Sequence, residues 1–273
     1  MPARVDALTL ERPPSLKAAL SLLAGDSTLT PIAGCTDVYV GLHFGTLKEQ
    51  RFIDIWNLDE LRGISAKGDG LRVGALTTYT ELIASKVVNE RLPMLVAAAR
   101  EIGGAQIQNR GTLGGNIANA SPAGDTLPVL AAANAGIVLR SLRGERVVPF
   151  ESFYTGYRKS VRQPDELIAA IDFPVVDGQQ WWRKVGTRRA QAISKVMMAG
   201  VRGPELRVAF GSVGPTVILA KNAAAVLAAG GAIGAARAEL MKEIAPIDDL
   251  RSTREYRARV AANLLAHFWE STG

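Results

Sequence analysis

Cysteine and histidine are almost missing from this 273-residue chain, which has one cysteine, Cys35, and two histidines, His43 and His267. One thiol permits no intrachain disulfide, and one thiolate cannot build an iron–sulfur cluster or a structural zinc site. Two histidines leave no room for a multi-histidine metal centre, and neither lies in the context of a Cys–His or Ser–His–Asp catalytic set. Any redox group must therefore be an organic cofactor. Long apolar runs are lacking as well. The longest, Ala223–Ala236, spans about fourteen residues of mostly Ala and Gly, whereas a membrane span needs roughly twenty. It reads as a packed helix followed by a turn. Met1 to Pro14 carries Asp6 and Glu11 where a signal peptide needs an apolar core, so no membrane association and a cytoplasmic location are expected.

Aromatics make up only 6% of the chain. That matters for the charge, which is unevenly spread: Arg140 to Arg202 holds twelve Lys/Arg against six Asp/Glu, and the remainder holds twenty of each. The whole excess of +6 thus lies in one segment. Without interleaved aromatics to stack on bases, this segment reads as a solvated face with phosphate contacts and not as a nucleic-acid surface. The 48% hydrophobic and 21% charged content fits a globular chain with a substantial core, and the length suggests two or three domains.

Periodicity predicts an α/β unit first. Leu16, Ala19, Leu20 and Leu23 recur at helical spacing after Pro13-Pro14-Ser15, and strands are expected at Leu29–Ile32 and Arg51–Ile55. Gly68-Asp69-Gly70 marks a hairpin between Ile64–Lys67 and Leu71–Gly74. Thr78-Tyr79-Thr80-Glu81 has capping-box spacing, and Pro93–Glu101 is a second helix. Strands Gly136–Leu142 and Leu167–Phe173 flank a connection over Pro149–Arg162, and Asp177–Gln180 reads as a linker. A small antiparallel sheet follows at Trp181–Val185, Ala199–Arg202 and Leu206–Phe210. Two helices then close the chain, the last with Tyr256, Val260, Leu264 and Phe268 on one face.

Residues 102–125 hold six glycines and three asparagines in twenty-four positions, which predicts neither a conventional helix nor a strand. Its backbone donors need partners, and an anion is the natural one, since consecutive amides in a glycine-rich turn form a concave donor set. Gly114-Gly115 would let the main chain approach a pyrophosphate, with Thr112 and Asn116 adding side-chain bonds and Asp125 accepting from ribose or ribityl hydroxyls. A surface loop satisfied by its own polar groups is the other reading. No Walker loop occurs, and Gly68-x-Gly70-x-x-x-Gly74 misses the Rossmann spacing.

Ile32-Ala33-Gly34-Cys35-Thr36-Asp37 resembles the first flavin-pyrophosphate loop of the FAD-binding medium subunits of molybdenum hydroxylases, the xanthine and carbon monoxide dehydrogenase group. Thr112 to Pro122 is similar to the second loop, and Asp125 matches the aspartate after it. Lys184–Arg189 and Ala245–Asp249 resemble landmarks of the C-terminal domain. The resemblance implies an α+β fold of the vanillyl-alcohol-oxidase type: FAD-binding subdomains over 1–57 and 58–176, and a C-terminal domain of antiparallel sheet and helices over 177–273. It implies that Pro31, Ile32, Ala33, Gly34, Cys35, Thr36, Asp37 and Val38, with Gly111, Thr112, Leu113, Gly114, Gly115 and Asn116, hold the diphosphate of FAD. Asp125 would bond ribityl or ribose hydroxyls, Ile168 would pack on the adenosine side and Lys184 would reach the flavin's polar edge. Ile102 aligns where some relatives place an aromatic against adenine. Cys35 stands where glycine is usual, and its amide can still donate, so its thiol is read as incidental.

The resemblance further implies an electron-transfer subunit with two partners, a 2Fe–2S small subunit and a molybdopterin-binding large subunit. NAD-using relatives often carry acidic residues after the Arg188-Arg189 region, where Ala190-Gln191-Ala192 stands here. NAD and another terminal acceptor both stay open. A flavin-free scaffold subunit and a free-standing flavin oxidase are the alternatives.

Overall fold

Ser15 starts the first helix by accepting a hydrogen bond from the Ala18 amide (3.2 Å), and the helix, α1 (Leu16–Gly25), buries Leu16, Ala19, Leu20 and Leu23 as its spacing predicts. The computed structural model describes residues 7–273; Asp6, used above in reading the N-terminus, lies outside them. Strands β1 (Thr9–Glu11), β2 (Thr30–Ile32) and β3 (Arg51–Asp54) form a parallel sheet in the order β1-β3-β2, with α2 (Val38–Phe44) between the last two.

The second sheet is antiparallel. It runs β4-β5-β10-β6-β7, from β4 (Ile64–Lys67), β5 (Gly70–Gly74), β6 (Gly136–Ser141), β7 (Gly144–Pro149) and β10 (Leu167–Phe173). One face packs on α1 through Val138, Leu167 and Ala169. The other carries α3 (Tyr79–Ala84), α4 (Lys86–Arg91), α5 (Pro93–Arg100), α6 (Ala105–Gln108), α7 (Leu113–Asn119) and α8 (Leu127–Ala132), over the main core with Ile137, Leu139 and Ile171. The Pro149–Arg162 connection is not irregular throughout; it contains a small hairpin of β8 (Tyr154–Gly156) and β9 (Lys159–Ser160).

The third unit is a meander of β11 (Gln179–Val185), β12 (Val196–Arg202), β13 (Arg207–Gly211) and β14 (Ile218–Leu219). Its alternation explains how it is fixed to the rest. Ala199, Val201 and Ala209 face the main core, while Val196, Met198, Val208 and Phe210 face the closing helices. Gln179 and Gln180, expected in a linker, belong to β11 because they pair with Arg202 and Val201. Three helices close the chain instead of two: α9 (Lys221–Ala228), α10 (Ile233–Glu243) and α11 (Arg254–Ser271). Gly230, at φ +77°, forms the turn that follows α9 in the alanine-rich run, and a further helix, α10, starts at Ile233 beyond it.

The passage over 102–125 departs most from expectation, since it contains α6 and α7. Helix α7 forms because Thr112 caps it, its Oγ1 accepting from the Gly115 amide (3.0 Å), and because Leu113 and Ile117 are wholly buried. Gly114 is needed for close approach, as a Cβ there would lie 2.6 Å from the Ala75 Cβ. Tertiary packing offsets the entropic cost of about 0.5–1 kcal/mol per glycine.

Candidate functional site

The chain leaves β2 at Ile32 and turns into α2 through Ala33–Asp37. Cys35 takes the left-handed conformation there, at φ 62°, which L side chains adopt at a cost of roughly 1–2 kcal/mol. Its thiol is half-buried and lies 3.3 Å from the Ala33 carbonyl oxygen. Gly34 lies so close to the second loop that a Cβ would fall 1.6 Å from the Arg110 oxygen. The amides of Gly34, Cys35, Thr36, Asp37 and Val38 find no protein acceptor among the described residues. The Arg110 guanidinium stacks 3.8 Å from the centre of the Trp56 ring, with Arg62 also 4.5 Å from that ring. Five free donors beside a pinned cation are a donor set that suits an anion.

The second loop behaves differently. Its amides are already committed: Gly111 donates to Ile107 O (2.6 Å), Leu113 to Thr77 O (3.1 Å), Gly114 to Ala75 O (2.8 Å) and Asn116 to Thr112 O (3.0 Å). The Gly115 amide serves the Thr112 cap. Most of the free amides therefore belong to the first loop, and the glycine pair of the second serves packing and the Thr112 cap. Thr112 keeps its own amide free, and Asn116 keeps its side-chain NH2, because its Oδ1 accepts from Thr126 Oγ1 (2.7 Å).

Asp125 and Lys184 meet across the domains. Lys184 Nζ, on β11, lies 2.6 Å from Asp125 Oδ2 and 3.3 Å from the Glu101 oxygen. Trp182 Nε1 donates to the Asp125 backbone oxygen (3.2 Å). Asp125 is 8% exposed, and its Oδ1 is buried with no partner. Burial pushes its carboxyl up to about 6, with the Lys184 charge pulling the other way. An orphaned carboxylate oxygen of this kind calls for a donor such as a ligand hydroxyl.

The sign of that shift gives a prediction. Between about pH 4 and pH 6 the folded chain keeps a proton that the unfolded chain, at an ordinary 3.8, has released. Stability of the ligand-free chain should fall as pH rises through this window, by at most about 1.4 kcal/mol per pH unit. Urea unfolding across the window should show the slope, and Asp125→Asn should flatten it. An unchanged slope in the variant would assign it to another group.

The remaining sequence-predicted positions are Pro31, Ile32, Ile102 and Ile168. Pro31 and Ile32 end β2. Ile102 is half-buried, its carbonyl accepting from Gln108 Nε2 (3.2 Å). Ile168 is 7% exposed within the main core, beside a bulge in β10. Trp56, Arg110 and Tyr79 carry no motif of their own, although Tyr79 lies inside the capping box and Arg110 inside the glycine-rich passage. Among the described residues no group of three His, Cys, Asp or Glu side chains forms a metal site, and no helix is long and apolar enough to cross a membrane.

The chain matches known proteins along almost its whole length. Residues 6–176 match the FAD binding domain in molybdopterin dehydrogenase, and residues 182–272 match the CO dehydrogenase flavoprotein C-terminal domain. The chain is 35% identical over 269 residues to the xanthine dehydrogenase FAD-binding subunit of Escherichia coli O157:H7, covering 92% of this chain and 91% of the relative. It is 30% identical over 255 residues to the carbon monoxide dehydrogenase medium chain of Hydrogenophaga pseudoflava, covering 89% and 86%. A solved carbon monoxide dehydrogenase from that organism, lacking the Mo-pyranopterin moiety of its cofactor, superposes with a TM-score of 0.89 at 28% identity, over 98% of this chain and 96% of the other.

Proposed function

Since this chain belongs to the family of FAD-binding subunits of the molybdenum hydroxylases, we propose that it is the subunit that carries electrons from a 2Fe–2S protein to NAD or another acceptor. It is an FAD-dependent oxidoreductase subunit. The partners in this reading are a 2Fe–2S small subunit and a molybdopterin-binding large subunit, the latter oxidising the substrate. Two relatives support a multi-chain assembly, being named as the FAD-binding subunit of a xanthine dehydrogenase and the medium chain of a carbon monoxide dehydrogenase. The single cysteine also supports it, since the clusters must lie on another chain.

The observation that carries the cofactor assignment is the row of free amides from Gly34 to Val38, packed against Arg110. We assign Pro31–Val38 to the diphosphate, with Thr112 and Asn116 adding donors from the Gly111–Asn116 loop. Asp125 takes a ribityl or ribose hydroxyl on its orphaned oxygen, and Lys184, which fixes that carboxylate, is assigned to the flavin's polar edge. Ile102 and Ile168 lie on the adenosine side. The units are 1–57, 58–176 and 177–273, with Asp125 and Lys184 joining the last two. When bound, FAD exchanges electrons singly or in pairs, the property that links a one-electron relay to a two-electron acceptor. The protein's part is to bind, orient and shield it.

The test is the visible absorption spectrum of the purified chain, with the released cofactor identified by mass. Flavin bands and released FAD are expected. A chain that stays colourless after incubation with FAD would overturn the assignment and favour a scaffold subunit.

A further inference from the structure

Tyr79 opens α3, and the capping box before it fixes where that helix begins. The Glu81 amide donates to Thr78 Oγ1 (3.2 Å), and the Thr78 amide donates to Glu81 Oε2 (2.6 Å). The Tyr79 amide donates to the Gly111 oxygen (3.2 Å), which ties this rigid start to the second loop. The ring lies along Gly111, where a Cβ would come 2.8 Å from Tyr79 Cε2. The side chain is 3% exposed. Its hydroxyl bonds to no described group, and the oxygen is not among the unpartnered polar atoms sealed in the core.

A tyrosine so placed has one useful thing to offer, a proton. Burial, with the carboxylates of Asp125 and Asp37 nearby, holds the phenol far above its ordinary range, so it is a neutral donor at every physiological pH. Asp37 ends the first loop and Asp125 follows the second, and neither accepts the hydroxyl's hydrogen bond. The ring thus lies against Gly111, the residue after Arg110, whose carbonyl oxygen meets Gly34, the first of five amides that also lack acceptors. An anionic group with several acceptor oxygens can satisfy donors from both loops and from Tyr79 together.

We propose that Tyr79 is a diphosphate-binding residue, its hydroxyl donating to a phosphate oxygen of FAD where the two loops meet. The inference rests on the FAD reading above and adds a residue from outside both loops.

The experiment compares the full-length, flavin-stripped chain with Tyr79→Phe. FAD is titrated by flavin fluorescence quenching, ADP is tested as a competitor because it carries the diphosphate without the flavin, and thermal midpoints of the ligand-free chains are recorded. The variant should bind FAD and ADP each about tenfold more weakly, about 1.4 kcal/mol, with an unchanged midpoint, since no protein hydrogen bond is lost. Unchanged FAD affinity in the variant would overturn the inference alone. So would weaker FAD binding with ADP unaffected, which would move the contact to the ribityl chain, or a lowered midpoint, which would make the role structural. Wild-type protein that fails to bind FAD would sink the cofactor reading, and this inference with it.

Discussion

Gly34→Ala is expected to lose FAD affinity by at least about 100-fold, about 2.7 kcal/mol, while leaving the chain folded. The added methyl would lie 1.6 Å from the Arg110 oxygen, 2.5 Å from the Arg110 carbonyl carbon and 3.3 Å from the Gly111 nitrogen. These are backbone atoms on both sides, and no side chain can rotate away to make room. The two loops must separate, which carries the free amides of Gly34–Val38 away from Thr112, Tyr79 and Arg110. The core should survive, because Pro31 to Asp37 contributes no fully buried side chain. Flavin content after purification, read as the ratio of visible to ultraviolet absorbance, checks the first part. Far-ultraviolet circular dichroism checks the second. A variant that retains FAD at wild-type affinity would show that contact between the loops is not what forms the site.

The second large effect is on stability. Arg257 is 3% exposed on α11, and its Nη1 donates to the oxygens of Lys195 (2.6 Å) and Ser212 (3.1 Å). Its Nη2 donates to Asp249 Oδ1 (2.8 Å). One guanidinium thus joins the end of the 186–195 loop, the turn after β13 and the segment before α11. Arg257→Met keeps the volume but leaves the Lys195 and Ser212 carbonyls without this donor and removes the buried half of the pair with Asp249, whose carboxylate keeps the Arg251 and Ser252 amides. The change should destabilise the fold by about 3–5 kcal/mol in urea unfolding. Arg257→Lys should recover less than half, since a single ammonium cannot reproduce the fork. Flavin affinity should fall as well, because the Ser212 amide donates to the Pro122 oxygen (2.9 Å), three residues before Asp125. A loss below about 1 kcal/mol would mean that water replaces the guanidinium without penalty.

Periodic and capped elements are legible in the sequence. The α1 stripe, the Gly68–Gly70 hairpin and the Thr78–Glu81 box each follow from local chemistry, and each forms as read. The glycine-rich passage over 102–125 was not, because its propensities argue against helix while Leu113, Ile117 and the Ala75 contact impose one. Which loop supplies free amides was illegible for the same reason. Strand-end carbonyls at Ala75 and Thr77 consume the second loop's donors, and no spacing rule announces that. Tyr79 escaped notice because the signal around it is a helix cap, and its unsatisfied hydroxyl exists only once Gly111 is brought beside it. The pairing of Asp125 with Lys184 spans fifty-nine residues and depends on where β11 docks.

Cys35 offers a practical consequence. It is the only thiol in 273 residues and lies in the loop whose amides are free. A maleimide dye will therefore label one position in the loop proposed to hold the cofactor, without any background cysteine to remove. Burial pushes this thiol up despite the Arg110 charge, so labelling should be slow at neutral pH and faster in alkali. Whatever occupies the loop should also shield the sulfur, which makes the labelling half-time a clock for how long the cofactor stays.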